Sequence, residues 1–354
     1  MSLYKYVHLM HNEKFIGPFI TFIKEHFDFE EHVFIIIGGV SENIAKIPQK
    51  LNVLYFDDSY NSKLNYLKYS KLLKQYTQNA DKIILHGLFG DNKSLFLFFN
   101  QILLSKCYWV MWGGDLYVYN KSRTKKIEQM RHYIRKKVYS KMGHFITYIK
   151  DDYELAQKWY GAKGEHHECF MYPSNLYKEY DIQEKEHDTV NIQLGNSADP
   201  TNNHIQALEK LKTYKDENIR IFTPLSYGNQ KYAKSVILKG KKIFGDKFIA
   251  LTDFMSFEKY LKFLSDIDIA IFAHKRQQGM GNIITLLGLG KKVYIRNDIT
   301  PWELFKDIDV KIFDVENIEL DLINETIKAD NKNKIQEYFS EKNYLQQLNN
   351  LFEG

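Results

Sequence analysis

At 354 residues, 44% hydrophobic and 26% charged, the sequence is too apolar for a disordered chain and too long for one ordinary core, so two domains are expected. Its two cysteines, Cys107 and Cys169, are far apart and in no ligand-like spacing, which argues against a disulfide scaffold. The start of the chain lacks the basic and apolar regions of a signal peptide, and no run approaches the roughly 18 apolar residues of a membrane helix.

In the first half, short β-rich runs alternate with amphipathic stretches, the pattern of a parallel sheet covered by helices. Strands are expected at 4–10, 32–39, 52–56, 81–87, 107–113, 144–149 and 167–172, with a helix burying Leu64, Leu67, Leu72 and Leu73 ahead of the fourth. Beyond Pro173 the sequence turns polar and aperiodic, as a linker does. A second series of strands follows at 190–195, 218–223, 247–251, 268–273, 292–296 and 310–313. The last stretch, about 334–352, has a helical apolar side and is expected to pack back across the interface. The division is therefore a first α/β domain at 1–175, a linker at 176–189, a second α/β domain at 190–330 and a closing helical segment at 331–354.

Charge is uneven. Residues 121–141 carry nine Lys and Arg against Glu128 alone, a local field that attracts phosphates of lipid, nucleic acid or a diphosphate substrate. Within this run Ile127, Met130, Ile134 and Val138 recur at helical spacing, so one face is expected to lie against its own domain.

Three segments carry candidate chemistry. In WVMWGGDLYVY a strand ends at Gly113 and Gly114 and presents Asp115 at its carboxyl end, where an acid is placed to act as a base on an acceptor hydroxyl; a helix cap is the plainer role. Trp112 and Gly114 flank the same turn, and His86 and His11 end strands in the same way, facing a crevice or serving the core. In LGNSADPTNNH, Gly195 permits a tight turn, while Asn196 and Ser197 offer capping oxygens and leave amides for a phosphate. In FAHKRQQGMGNIITLLGLGKKV, Gln277, Gln278, Gly279, Gly281 and Asn282 open an apolar helix whose amides and dipole favour a diphosphate. The glycine pair lacks the full dinucleotide fingerprint. No metal-ligand spacing is visible: Asp57 with Asp58, Asp151 with Asp152, and His166 with His167 are merely adjacent, so metal-free chemistry without a cofactor is expected.

Taken together, HGLF at His86, WGGDLY at Trp112, LGNSADPTNNHIQAL at Leu194, TPLSYG at Thr223 and the glycine-rich segment at Phe272 resemble the bacterial TDP-N-acetylfucosamine:lipid II N-acetylfucosaminyltransferases of enterobacterial common antigen synthesis. The resemblance runs in order across both halves. It implies a GT-B fold, two Rossmann-like domains facing each other across a cleft. It further implies an acceptor held mainly by the first half (His11, Trp112, Gly114) and a nucleotide sugar held mainly by the second, Tyr227 and Thr285 included. The implied donor is a TDP-linked 4-acetamido-4,6-dideoxygalactose and the acceptor a polyprenyl-diphosphate-linked oligosaccharide. Peripheral attachment to the cytoplasmic face of the bacterial inner membrane is implied as well. Thr285 stands where many GT-B enzymes place a ribose-binding Glu, which suits a thymidine donor without a 2′-hydroxyl.

Rival readings are a transferase of another nucleotide sugar in capsule or O-antigen assembly, a GT-B-fold epimerase, and a nucleic-acid-binding protein. An epimerase needs paired acid and base groups, and only Asp115 stands out as a well-placed acid. Nucleic acid is disfavoured because no RNA-binding signature accompanies residues 121–141.

Overall fold

The computed structural model describes residues 4–38, 52–56, 63–179 and 187–354, so Asp57 and Asp58, the end of the expected 32–39 strand and part of the expected linker lie outside the described residues. The chain divides into two compact units, one made of Met1–Ser174 with Tyr344–Gly354 and the other of Asn175–Asn343.

In the first unit seven parallel strands alternate with helices. They are β1 (Tyr6–His11), α1 (Ile16–His26), β2 (His32–Ile37), β3 (Val53–Phe56), α2 (Lys63–Thr77), β4 (Lys82–His86), α3 (Asn92–Phe99), β5 (Cys107–Val110), α4 (Lys126–Tyr139), β6 (His144–Ile146), α5 (Lys150–Tyr160) and β7 (Glu165–His167). The sheet order is β3-β2-β1-β4-β5-β6-β7. Every residue of β2 is buried, as a strand covered by helices on both faces requires. Val7, Leu9, Val33, Ile35, Ile83 and Leu85 form one side of the core, against Leu73, Phe96 and Leu97 from α2 and α3.

The second unit repeats the plan with β8 (Val190–Leu194), α6 (His204–Leu211), β9 (Ile219–Pro224), α7 (Gln230–Phe244), β10 (Phe248–Leu251), α8 (Phe257–Ser265), β11 (Ile269–Phe272), α9 (Met280–Gly288), β12 (Lys292–Ile295), α10 (Thr300–Asp307), β13 (Phe313–Asp314) and α11 (Glu325–Tyr338). Its order is β10-β9-β8-β11-β12-β13, all parallel. In both sheets the order of strands thus reverses beside the first strand, at β1/β4 and at β8/β11, which opens a crevice at the strands' carboxyl ends.

Three expectations change. The strand expected at 167–172 is the shorter β7, after which the backbone leaves the sheet: Met171 takes φ 61°. There Gln347 Oε1 accepts from the Phe170 amide and the Tyr344 hydroxyl donates to the Met171 carbonyl, so side chains satisfy backbone groups a neighbouring strand would otherwise take. In α2 the buried face runs through Tyr69 and Leu73, leaving Leu67 65% exposed; the Leu64 side chain lies outside the described residues. The chain closes with two helices rather than one. Ser340 Oγ accepts from the Asn343 amide and starts α12 (Glu341–Glu353), which from Tyr344 onward belongs to the first unit. There the Phe352 carbonyl accepts from the Tyr6 hydroxyl at 2.7 Å.

Candidate active site

In the first unit the crevice is built on Asp115. The turn after β5, with Gly113 at φ 75°, brings this carboxylate back beneath the loop that follows β4. Oδ1 accepts from the amides of Trp112 (3.0 Å) and Leu116 (3.1 Å), and Oδ2 from the Leu88 amide (2.9 Å) and Trp109 Nε1 (2.7 Å). A carboxylate offers about four lone-pair positions, and all are taken. Burial raises the Asp115 pKa, opposed by these bonds. The geometry therefore gives Asp115 the work of tying two crevice loops together, and leaves it no lone pair for an acceptor hydroxyl.

His86 is likewise committed. Its Nδ1 lies 2.7 Å from the Tyr172 hydroxyl and its Nε2 3.0 Å from His8 Nδ1, while His8 Nε2 lies 2.9 Å from His32 Nδ1. Tyr172 in turn accepts from Trp112 Nε1 at 2.9 Å. This buried chain ends on Trp112, whose ring packs against Phe15 and Phe89 and faces a cavity of about 480 Å³. His86 reaches the crevice only through Tyr172 and Trp112. Gly114 closes the turn by donating its amide to the Trp112 carbonyl at 2.9 Å.

His11 lines this cavity and a neighbouring one of about 490 Å³, with its Nε2 buried and without a partner. Burial, and then the nearby Lys93 ammonium, depress its pKa to about 3. Lys93 is a residue the sequence did not mark. Only 2% exposed, it donates to the carbonyls of Gly87 (3.0 Å), His86 (3.4 Å) and Leu9 (3.5 Å), and burial lowers its pKa to about 7 against the pull of Asp115. Glu13 was also unmarked. It lines the 480 Å³ cavity, and although the residue is exposed, loss of hydration at its carboxyl raises its pKa.

The basic stretch forms α4, held to the N-terminal end of α3 by ion pairs from Arg131 (2.7 Å) and Arg135 (2.8 Å) to Asp91. Val138 is buried and Ile134 packs partly on the core, but Ile127 and Met130 are 44% and 52% exposed, so the expected apolar face is covered over its C-terminal half only. Exposed Phe99, Ile102 and Tyr133 lie on the same packed pair of helices and the turn between α3 and β5.

In the second unit the segments at 195–197 and 274–281 meet at the carboxyl ends of β8 and β11. Asn202, fully buried, clasps them: its Oδ1 accepts from the Asn196 amide (3.0 Å) and from His274 Nε2 (2.8 Å), and its Nδ2 donates to Ser197 Oγ (3.3 Å). Gln278 Oε1 accepts from the Thr201 hydroxyl at 2.7 Å, and Asn203 Nδ2 donates to the Ala273 carbonyl at 2.7 Å. Gly279 caps α9 at φ 68°, and a β-carbon on it would meet Asn196 Nδ2 and His274 Cε1 at 3.2 Å. Gly195, at φ 68°, leaves room for Asn202 and His204. Buried Gln277 and the Asn196 side chain each present an oxygen without a partner. Tyr227, 49% exposed, is hydrogen-bonded to Ser197. Gly281 and Asn282 occupy the first turn of α9 and are partly exposed. Thr285 donates its hydroxyl to the Gly281 carbonyl of its own helix at 2.8 Å. Of the residues expected to hold the donor, the fold gathers the 195–197 and 277–282 groups at one place.

The sequence profile of the 4-alpha-L-fucosyltransferase glycosyl transferase group 56 matches residues 9–353. The chain belongs to this family. Solved structures similar to it include a glycosyltransferase from Rickettsia africae ESF-5, with TM-score 0.65 and 14% identity over 99% of this chain and 98% of that one. WaaG, a glycosyltransferase involved in lipopolysaccharide biosynthesis, gives 0.64 and 10% over 98% of each. Sucrose-phosphate synthase from Thermosynechococcus elongatus gives 0.71 and 10% over 99% of this chain and 98% of that one. At such identities the likeness establishes the fold alone, and that fold is GT-B.

This group 56 glycosyltransferase thus places its sequence-marked residues at the carboxyl ends of the strands at the two switch points. The residues that sequence reading missed are Lys93, Glu13 and Tyr172, which stand in no motif, and Asn202 and His274, which lie inside the two donor segments but become functional candidates only through tertiary contacts. The fold also brings together side chains of metal-ligating type. Among the described residues, the ligand atoms of His144, Glu165 and His167 come within 4.8 Å of one another, a grouping that spacing along the chain does not reveal.

Proposed function

We propose that this glycosyltransferase moves a deoxyamino sugar, 4-acetamido-4,6-dideoxygalactose or a close relative, from a TDP donor to a polyprenyl-diphosphate-linked glycan at the cytoplasmic face of the bacterial inner membrane. The carrying observation is the clasp made by Asn202, which joins the Asn196 amide to the His274 ring and so holds the loop after β8 beside the segment that opens α9, at the carboxyl ends of β8 and β11. Helix α9 points its N-terminus there, where hydrogen bonds and the dipole stabilise the departing diphosphate. At this position the chain has Thr285 rather than a carboxylate, and its hydroxyl is spent within α9, which favours a deoxyribose over a ribose.

On the acceptor side Asp115 is a positioning residue and Glu13 the base. Its carboxylate has the raised pKa suited to taking a proton from a hydroxyl and lines the same cavity as Trp112 and His11. Exposed Phe99, Ile102, Met130 and Tyr133 beside the basic face of α4 support contact with an anionic bilayer, where the acceptor lipid resides.

Calorimetric titration with TDP and UDP tests the donor assignment. TDP is expected to bind more tightly than UDP. Gly279→Ala, which strains a left-handed cap and crowds Asn196, is expected to weaken TDP binding about tenfold or more without lowering the first unit's stability. Preference for UDP, or undiminished binding by the variant, would refute this reading of the second unit.

A further inference from the structure

Away from both crevices, β6 and β7 lie side by side at the edge of the first sheet, with His144 opposite Glu165 and Ile146 opposite His167. Alternation along β7 turns Glu165 and His167 to one face, and His144 projects on the same side of the neighbouring strand. His166, between them, turns the other way, where its ring stacks on Tyr153 and its Nε2 meets the Thr147 carbonyl at 2.8 Å. His144 Nδ1 lies 2.9 Å from His167 Nε2 and 3.5 Å from Glu165 Oε2, and His167 Nε2 lies 3.8 Å from that oxygen.

These separations have a chemical meaning. Ligand bonds of 2.0 to 2.2 Å at tetrahedral angles place neighbouring donor atoms about 3.4 Å apart, which is the middle of this triangle. We propose that His144, Glu165 and His167 form a zinc site that pins the edge strand β7 to β6, with water as the fourth ligand. Two imidazoles and one carboxylate suit zinc and disfavour magnesium or calcium, which take oxygen ligands.

The surroundings fit a held ligand set. The Tyr108 ring stacks on His144 at 3.9 Å between centroids and 5° between planes, and the Ser105 backbone hydrogen-bonds the same imidazole. Partners of this kind fix the orientation of metal-bound histidines. One feature works against the ion: the Lys82 ammonium is close enough to disfavour positive charge on both histidines. It is drawn aside by the carbonyls of Leu351 (2.7 Å) and Phe352 (3.2 Å). The alternative is a plain His–His hydrogen bond with Glu165 as a loose counter-charge.

His144 opens β6, Glu165 opens β7 and His167 closes it, and none of the three lines the 480 or 490 Å³ cavity beside Trp112 and His11, so the metal is structural. With strands of three residues each, β6 and β7 have few ladder bonds of their own.

The test uses the untagged full chain, stripped with chelator and titrated with zinc ion by calorimetry, with melting followed in parallel. One equivalent is expected to bind with a dissociation constant below about 10 μM and to raise the melting temperature. Glu165→Gln removes an exposed carboxylate without touching the core, and His167→Gln removes a ring. Each is expected to weaken zinc binding about tenfold or more and to abolish the melting shift. Absence of a one-equivalent site in the parent chain, or a site that survives Glu165→Gln at full affinity, would overturn the proposal in favour of the hydrogen-bonded pair.

Discussion

Asp115 shows how far a residue is legible in sequence. Its place after a strand and a glycine turn is written in WGGD, and so is its approach to a crevice. Its four bonds are not, because two come from Leu88 and Trp109, which folding alone brings near. Glu13 is the converse: nothing in its neighbourhood distinguishes it until packing strips water from its carboxyl. The two acids therefore predict opposite mutant signatures. Asp115→Asn directs an amide donor at groups that are themselves donors, which costs about 3 kcal/mol and lowers the melting temperature by several degrees, with activity falling alongside. Glu13→Gln is expected to leave melting unchanged and lower turnover about a hundredfold. Melting curves and single-substrate kinetics on both variants decide. A stable, inactive Asp115→Asn together with a fully active Glu13→Gln would return the base to Asp115.

Among the elements, the strands were readable because a parallel sheet buried on both faces demands near-continuous apolar runs such as VFIII in β2. The boundaries failed where side chains replaced ladder partners, as Tyr344 and Gln347 do around Met171. The meeting of the 195–197 and 274–281 segments was implied by topology, but its fastener was not, since Asn202 is 72 residues from His274. Helix α4 was recognisable as basic and amphipathic, yet how much of its apolar side stays open depends on how α3 lies against it. If that open side meets lipid, replacing Phe99, Ile102, Met130 and Tyr133 with Ser should abolish flotation with anionic liposomes at physiological salt. Retaining the charges would then preserve only binding at low salt. Flotation equal to the parent at both salt concentrations would leave α4 a soluble surface.

At the scale of the molecule, buried histidine dominates the response to acid. Burial lowers the pKa of His11, His32 and His274 to about 3 and of His204 to about 4, and holds His8 and His86 well below 6.5. Because the unfolded chain takes up these protons first, their stabilising effect is complete above about pH 6.5 and is lost progressively as pH falls toward the folded values. Asp115 and Glu13, with raised pKa values, act in the opposite sense but are fewer. Urea unfolding should accordingly show a lower midpoint at pH 5.5 than at pH 7.5, and an equal or higher midpoint would mean that these imidazoles are already protonated in the fold. Two parallel-sheet domains and the succession of strands along the chain were readable from the alternation of runs, whereas the order of strands within each sheet came only with the fold. Charge states in the interior were not, because they depend on neighbours the fold supplies. The proposed sugar transfer to a lipid-linked glycan can be followed by mass spectrometry of a polyprenyl-diphosphate oligosaccharide incubated with the enzyme and TDP-4-acetamido-4,6-dideoxygalactose. Transfer leaves an acceptor heavier by one acetamidodideoxyhexose residue and releases TDP. An unchanged acceptor beside an isomerised nucleotide sugar would contradict it.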